Sequence, residues 1–155
     1  MVGELRTALG MTYTVVALIR RKEGITPAEF RSHYDNVHVP LLKSLVGSTF
    51  PLSHTRNYVT RIPTGDPRNS TDSQRDESAA SLDFEPVLYR GQASDVNYDS
   101  LTVMVWEDKA AFDEFNRIFS TKEVFDKISE DNENFLDTTL RLVYAVEEPV
   151  ITNRD

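Results

Sequence analysis

TPAEFRSHYDNVHVPLLKSL, residues 26–45, starts as an ordinary helix and then breaks two rules of one. Thr26 is placed to cap it. Pro27 suits the first helical position, where its missing N–H would have no partner anyway, and Glu29 completes a capping box. With Phe30 as origin and about 100° per residue, Tyr34, Val37, Leu41 and Leu45 form one apolar stripe. His38 lies inside that stripe and His33 at its edge. Pro40 cannot donate to the Asn36 carbonyl and pushes Val39 toward extended geometry, so a kink or restart is expected at residues 37–40. His38 then has two readings. It is either a core histidine bonded to the freed carbonyl or a residue turned toward a site, and in both it needs a partner if buried. His54 makes three histidines within 22 residues, on two adjacent elements, which favours a site.

Around this helix the chain alternates in a recognisable way. YTVVALIR (13–20) is apolar on both alternating faces and reads as a strand buried on both sides. SHTRNYVTRI (53–62) is expected as the second strand, LTVMVW (101–106) as the third and TLRLVYAV (139–146) as the fourth. Asp108 caps a helix carrying Phe112, Phe115 and Phe119. STKE (120–123) is expected to be a capping box opening a helix with Val124, Phe125, Ile128, Phe135 and Leu136. The order is β-α-β-β-α-β with the second helix in two pieces, an α+β, ferredoxin-like pattern. Helices cover one side of such a sheet, and strands one, three and four are apolar on both faces. A second copy of the sheet is the economical cover, giving a homodimer closed around an inner cavity, a dimeric α+β barrel. Residues 1–155 form a single domain, with 1–12 an N-terminal extension. Residues 63–95 are a long polar loop whose first part, 63–83, is rich in Pro, Gly, Ser and Asp and expected to be mobile.

Composition removes several function classes. The net charge is −8 with no basic patch, so no nucleic-acid partner is expected. There is no cysteine, hence no disulfide or thiolate chemistry. The longest apolar run, VVALI (15–19), is far short of a membrane span, and the first residues lack a leader pattern, so a soluble, cytoplasmic protein is the expectation. His33 and His38 stand five apart, about 140° around a helix, and cannot grip one metal ion together. No HxH, HxxxH or HExxH occurs, so no metal is expected. GDPRNS lacks the Walker lysine and no GxGxxG is present. The acidic runs SEDNEN (129–134) and VEEP (146–149) read as solvated surface. On the second strand His54, Arg56 and Tyr58 share a face and can hold an anionic, phenolic ligand, unless they are only an exposed polar face. Trp106, ending the third strand, is either core or the wall of a pocket.

The segment TPAEFRSHYDNVHVPLLKSL, with its F-x-x-H-Y-x-x-x-H-x-P core, resembles the EthD-domain proteins of the dimeric α+β barrel superfamily, particularly fungal members. So do FPLSHTRNYVTRI and YDSLTVMVWEDKAAFDEF with FLD. The resemblance runs from about residue 13 to 146, omitting 63–95. It implies a homodimer with one pocket per subunit, between the inner sheet face and the first helix. Fungal relatives are associated with aromatic polyketide pathways, as cofactor-free decarboxylases, cyclases or dehydratases, and their histidines map to His38 and His54. The expected function is therefore a lyase or cyclase that needs no cofactor and acts on an aromatic polyketide-like substrate. His38 would be the acid/base, histidine being suited to proton transfer near neutral pH. His54 would assist it, Tyr34 or Tyr58 would donate to the developing enolate, and Arg56 would hold a carboxylate or phenolate. His33 and Trp106 would complete the substrate contacts. The alternative is a noncatalytic barrel binding a small aromatic ligand or haem, with His38 as axial ligand.

Overall fold

The computed structural model describes residues 11–64 and 83–155. The expected mobility of 63–83 therefore falls almost wholly on residues outside the described ones. Strands β1 (Tyr13–Ile19), β2 (Ser53–Tyr58), β5 (Ser100–Trp106) and β6 (Leu142–Val146) form one sheet in the order β2-β5-β1-β6. Every neighbouring pair is antiparallel. A second, two-stranded sheet pairs β3 (Arg61–Pro63) with β4 (Phe84–Pro86). The fold is α+β with ferredoxin-like βαββαβ topology, as the pattern implies. The segment 53–62 is not one strand, however, because the chain leaves the main sheet after Tyr58 and pairs with 84–86 instead. Part of the stretch read as loop is thus the base of a hairpin, and β6 starts at Leu142 rather than at Thr139.

Helices α1 (Pro27–His33) and α2 (Val39–Val46) flank a π-helical turn, Tyr34–His38, and α3 (Lys109–Phe119) and α4 (Lys122–Phe135) follow β5. Thr26 and Glu29 close the expected capping box around Pro27, and Asp108 caps α3 by accepting from the Ala111 N–H. The box expected at STKE does not form, because Ser120 ends α3 and the Thr121 hydroxyl donates back to the Ile118 carbonyl. Gly47 ends α2 at φ 58°, ψ −131°, a region closed to residues with a Cβ. No helix among the described residues is long and apolar enough to cross a membrane.

All helices lie on one side of the main sheet, the side marked by Thr102, whose hydroxyl meets that of Tyr34 at 2.9 Å. Alternation then assigns Ser100, Thr102, Met104 and Trp106 of β5 to the helix side, with Val15, Ala17 and Ile19 opposite them on β1. Two apolar clusters fill the space. One joins Val15, Leu42, Val46, Trp106, Phe115, Val124 and Ile128, and the other joins Phe30, Tyr34 and Phe135. On the opposite side Leu142, Tyr144 and Val146 of the edge strand are exposed.

A buried charge cluster clasps the small sheet to the large one. Asp99 lies 2.6 Å from Nε of Arg61 and 3.5 Å from Nε of Arg21, and accepts the Arg21 backbone N–H. Arg61 also donates to the carbonyls of Val96 and Tyr98, and the Arg21 guanidinium covers the Phe84 ring. Removing the one carboxylate would leave two guanidiniums buried without a counter-charge. Asp99→Ala is expected to lower the unfolding free energy by about 3–5 kcal/mol. Urea unfolding measures this, and a loss below about 1 kcal/mol would show that the clasp contributes little.

Candidate functional site

The expected restart at residues 37–40 takes the form of a π-helical turn, Tyr34–His38, after which α2 begins at Val39 with Pro40 in its first turn. Val39 is helical at φ −64°, ψ −44°, and its N–H bonds to the Tyr34 carbonyl five residues back. One residue is taken up by this wider turn, and the chain accommodates the proline without leaving helical geometry. The wider turn also moves the apolar stripe. The deepest positions are Phe30, Tyr34, Leu42 and Val46, Leu41 and Leu45 are partly buried against the same core, and Val37 is 46% exposed. His38 takes the inward place that an unbroken α-helix gives Val37.

The same turn overturns the expected separation of His33 and His38. An i→i+5 turn returns residues five apart to one side, and the two imidazoles share a single carboxylate. His33 Nε2 is 2.8 Å from one oxygen of Asp131, and His38 Nδ1 is 2.9 Å from the other. Asp131 lies in SEDNEN, read as solvated surface, yet is only 7% exposed. Burial alone would raise its pKa, but hydrogen bonds from His38 and His33 outweigh this and hold it below the usual carboxylate range. The partner of His38 is thus this carboxylate and not a freed backbone carbonyl. Phe135, 1% exposed, stacks on His33 with ring centres 4.6 Å apart and lies 4.9 Å from His38, which restrains both rings.

A second network holds His54. On β2, His54, Arg56 and Tyr58 stand opposite Met104, Thr102 and Ser100, so all three face the helices and are no exposed polar face. Arg56 Nη1 donates to His54 Nδ1 at 2.9 Å. Its Nε donates to Asp35 at 2.7 Å, and the Tyr58 hydroxyl donates to the same oxygen at 2.5 Å. Burial would raise the Asp35 pKa, and the bonds from Tyr58 and Arg56 together bring it below its ordinary value. Burial and the bond to Asp35 push the Tyr58 phenol up. Burial and then the neighbouring Arg56 charge lower His54 to about 4. Burial also lowers His38, against the opposing pull of Asp131.

These partners assign both tautomers. Arginine only donates, so His54 Nδ1 accepts and its proton sits on Nε2. An ionised carboxylate only accepts, so His38 carries its proton on Nδ1 and leaves the Nε2 lone pair free. Both rings line a cavity of about 390 Å³ between sheet and helices. One imidazole therefore offers the cavity an acceptor and the other a donor.

Of the residues singled out in the sequence, His38, His54, Tyr34 and Trp106 line this cavity. His33, Arg56 and Tyr58 do not, and serve as supports of the residues that do. Arg56 is neutralised by Asp35 and is not placed to hold a ligand carboxylate. The Tyr34 phenol, pushed up to about 12 by burial, is committed to Thr102. Trp106 is 1% exposed, donates to the Thr49 carbonyl at 2.9 Å, and is both core and cavity wall. Asp131 and Asp35 were not foreseen. Asp131 had a readable signal, since it interrupts the spacing Val124, Ile128, Asp131, Phe135, at which every other residue is apolar and buried. Among the described residues no group of three or more His, Cys, Asp or Glu side chains is arranged to hold a metal ion.

The family model described as the EthD domain matches residues 22–139, more than half the chain. The chain is similar to two proteins of known crystal structure. An ethyl tert-butyl ether D (EthD) family protein from Bacillus halodurans is 19% identical, with a TM-score of 0.46, over 90% of this chain and 100% of that one. An EthD-like protein from Ralstonia eutropha is 13% identical, with a TM-score of 0.50, over 90% of this chain and 93% of that one. No curated protein matches.

The network makes stability depend on pH in two stages. His54 takes its proton at about 4 when folded and at its ordinary 6.5 when unfolded, so the unfolded chain binds the proton first as pH falls. Its contribution is lost between those two values, and His38, also lowered, acts in the same direction. Asp131 and Asp35 are depressed from 3.8, so their contributions are lost only below about that pH. Urea unfolding of the wild type between pH 7 and 4.5 is expected to show falling stability, with a shallower slope in His54→Gln. An unchanged slope in that variant would show that His54 titrates normally in the folded protein.

Proposed function

This chain belongs to the EthD-domain family, and from that premise we propose that it is a cofactor-independent lyase or cyclase, of decarboxylase or dehydratase type, acting on an aromatic polyketide-like carbonyl compound. The observation that carries the reading is the pair of opposed imidazole tautomers on one apolar cavity. Such chemistry moves a proton at the carbon beside a carbonyl. In a dehydration or cyclisation the free Nε2 of His38 takes that proton, and the C–H electron pair becomes a C=C bond as the carbonyl oxygen turns into an enolate. In a decarboxylation the C–C bond to the carboxylate breaks instead, CO2 leaves as that electron pair forms the enolate, and the carbon then gains a proton relayed from water through His38. The Nε2–H of His54 donates to that oxygen as charge develops. His54 stays neutral at physiological pH, which keeps it a donor without making it a competing acid. The His38 imidazolium, its Nδ1–H still on Asp131, then returns the proton. In a dehydration it goes to the departing hydroxyl, which leaves as water when the enolate electrons re-form the carbonyl. In a cyclisation the enolate carbon attacks a second carbonyl, and the proton goes to the new alkoxide.

Asp131 aims the His38 ring and supports its protonated state, and His33 fixes the carboxylate from its other oxygen. Phe112, Phe115, Phe119 and Trp106 give the cavity aromatic walls suited to a planar aromatic body. His38→Gln is expected to fold normally and to turn over a phenolic polyketide keto substrate roughly 10²–10⁴-fold more slowly, with loss of the wild-type pH dependence. Wild-type turnover in the folded variant would make His38 a packing residue. Binding without turnover in both proteins would favour the ligand-binding alternative, and a Soret band in the purified protein would favour its haem form.

The reading includes a homodimer. The outer sheet face exposes Leu142, Tyr144 and Val146, and the chain beyond it exposes Val150 and Ile151. A second sheet laid on that face would remove this apolar surface from water. Sedimentation equilibrium is expected to give twice the 17.7 kDa chain mass at micromolar concentration, and a stable monomer there would remove this part of the proposal.

A further inference from the structure

Among the described residues lining the cavity, one side chain carries a permanent charge, that of Arg141. Six other arginines, namely Arg20, Arg21, Arg31, Arg56, Arg61 and Arg117, each lie against an aspartate or glutamate. Arg141 makes no such ion pair among the described residues. Its Nε donates to the Thr138 carbonyl at 3.0 Å, which steadies the guanidinium and leaves the Nη groups uncommitted. A fork of N–H donors on an apolar cavity, with no carboxylate of the described residues against it, is suited to receiving a carboxylate from outside.

Its place in the fold sets where that carboxylate would lie. Arg141 immediately precedes β6, at one edge of the sheet, whereas His54 stands on β2 at the other edge. Three strand spacings, about 14 Å, separate the two edges. Ser129, Asn132 and Thr138 also line the cavity, and they come from α4 and the segment leading into β6. The cavity thus carries His54 toward one edge and Arg141 toward the other, with His38, held by α4, and apolar side chains lining the space. We infer that Arg141 is the specificity-determining residue that binds the anionic end of the ligand, a carboxylate carried on a planar apolar body, with the reacting carbonyl held at the far end by His38 and His54. This assigns to Arg141 the role that the neutralised Arg56 is not placed to fill, and it rests on the reading of the cavity as the ligand site.

The test uses two probes of nearly equal shape, 2-naphthoate and the neutral 2-naphthamide, titrated into the whole protein at pH 7.5. Trp106, the chain's single tryptophan, lines the cavity and reports occupancy by its fluorescence, with calorimetry as the second readout. The wild type is expected to bind the naphthoate at least about tenfold more tightly than the amide, as a charge-assisted contact requires. Arg141→Gln is expected to erase that ratio while leaving affinity for the amide unchanged, and Arg141→Lys to keep part of it. His38→Gln is expected to keep the ratio, because recognition of the anion does not use the acid/base. A ratio that survives Arg141→Gln, or a wild type that binds both probes equally, overturns the assignment while leaving the cavity as the ligand site. A wild type that binds neither probe overturns the assignment and the reading beneath it together. Arg141 is exposed and outside both core clusters, so its variants are expected to fold, and retained amide binding verifies that they do.

Discussion

One carboxylate, that of Asp131, accepts an N–H from two imidazoles at once, and the shape of the helix above it answers to that demand. A buried, ionised carboxylate is costly unless its oxygens are engaged, and two ring N–H groups supply what water would have given. An α-helix cannot present residues five apart to the same point. The π-helical turn at Tyr34–His38 does, and it passes on its extra residue as a one-place shift of the most deeply buried positions after it, to Leu42 and Val46. The burial of Leu42 and Val46, the exposure of Val37 and the outlook of His38 all follow from that shift. Phe135, closing over both rings, completes a cluster whose polar and apolar parts are each satisfied.

Much of the framework was legible from residue order alone. The capping box at Thr26, the paired pieces of the second helix and the four-strand topology all come from local signals, a cap or a period, that the tertiary structure did not override. The misreadings share a cause. A constant 3.6-residue period across Pro40 sets His33 and His38 about 140° apart and makes Leu41 and Leu45 the most inward positions. The wider turn instead brings the imidazoles together and gives the deepest burial to Leu42 and Val46, with Leu41 and Leu45 partly buried beside them. SEDNEN was read by composition rather than by position, which hid the one acidic residue at a core spacing. Arg56 and Tyr58 were recognised as sharing a face, but their partner Asp35 sits on another element, and no sequence pattern brings it to them.

The two polar networks do opposite things with the same side chain. Against a carboxylate, His38 holds its proton on the buried nitrogen and turns a lone pair outward. Against a guanidinium, His54 holds its lone pair on the buried nitrogen and turns a proton outward. The supports, more than the imidazoles, distinguish the two roles, and the low pKa of His54 comes first from burial and then from the charge of Arg56 beside it. His33, Arg56 and Tyr58 thereby matter without touching the cavity.

The strand order has a consequence for how the chain is made. β1 pairs only with β5 and β6, so the run VVALI at its centre has no sheet partner until residues 100–106 have been synthesised. During that interval the nascent chain carries an apolar, β-branched segment that has α1 and α2 for cover but neither of its strand partners. Such a segment is prone to pair with its like on neighbouring chains. Assembly is therefore governed by long-range closure, and the slow, vulnerable stage of this protein's life is the emergence of its second half from the ribosome.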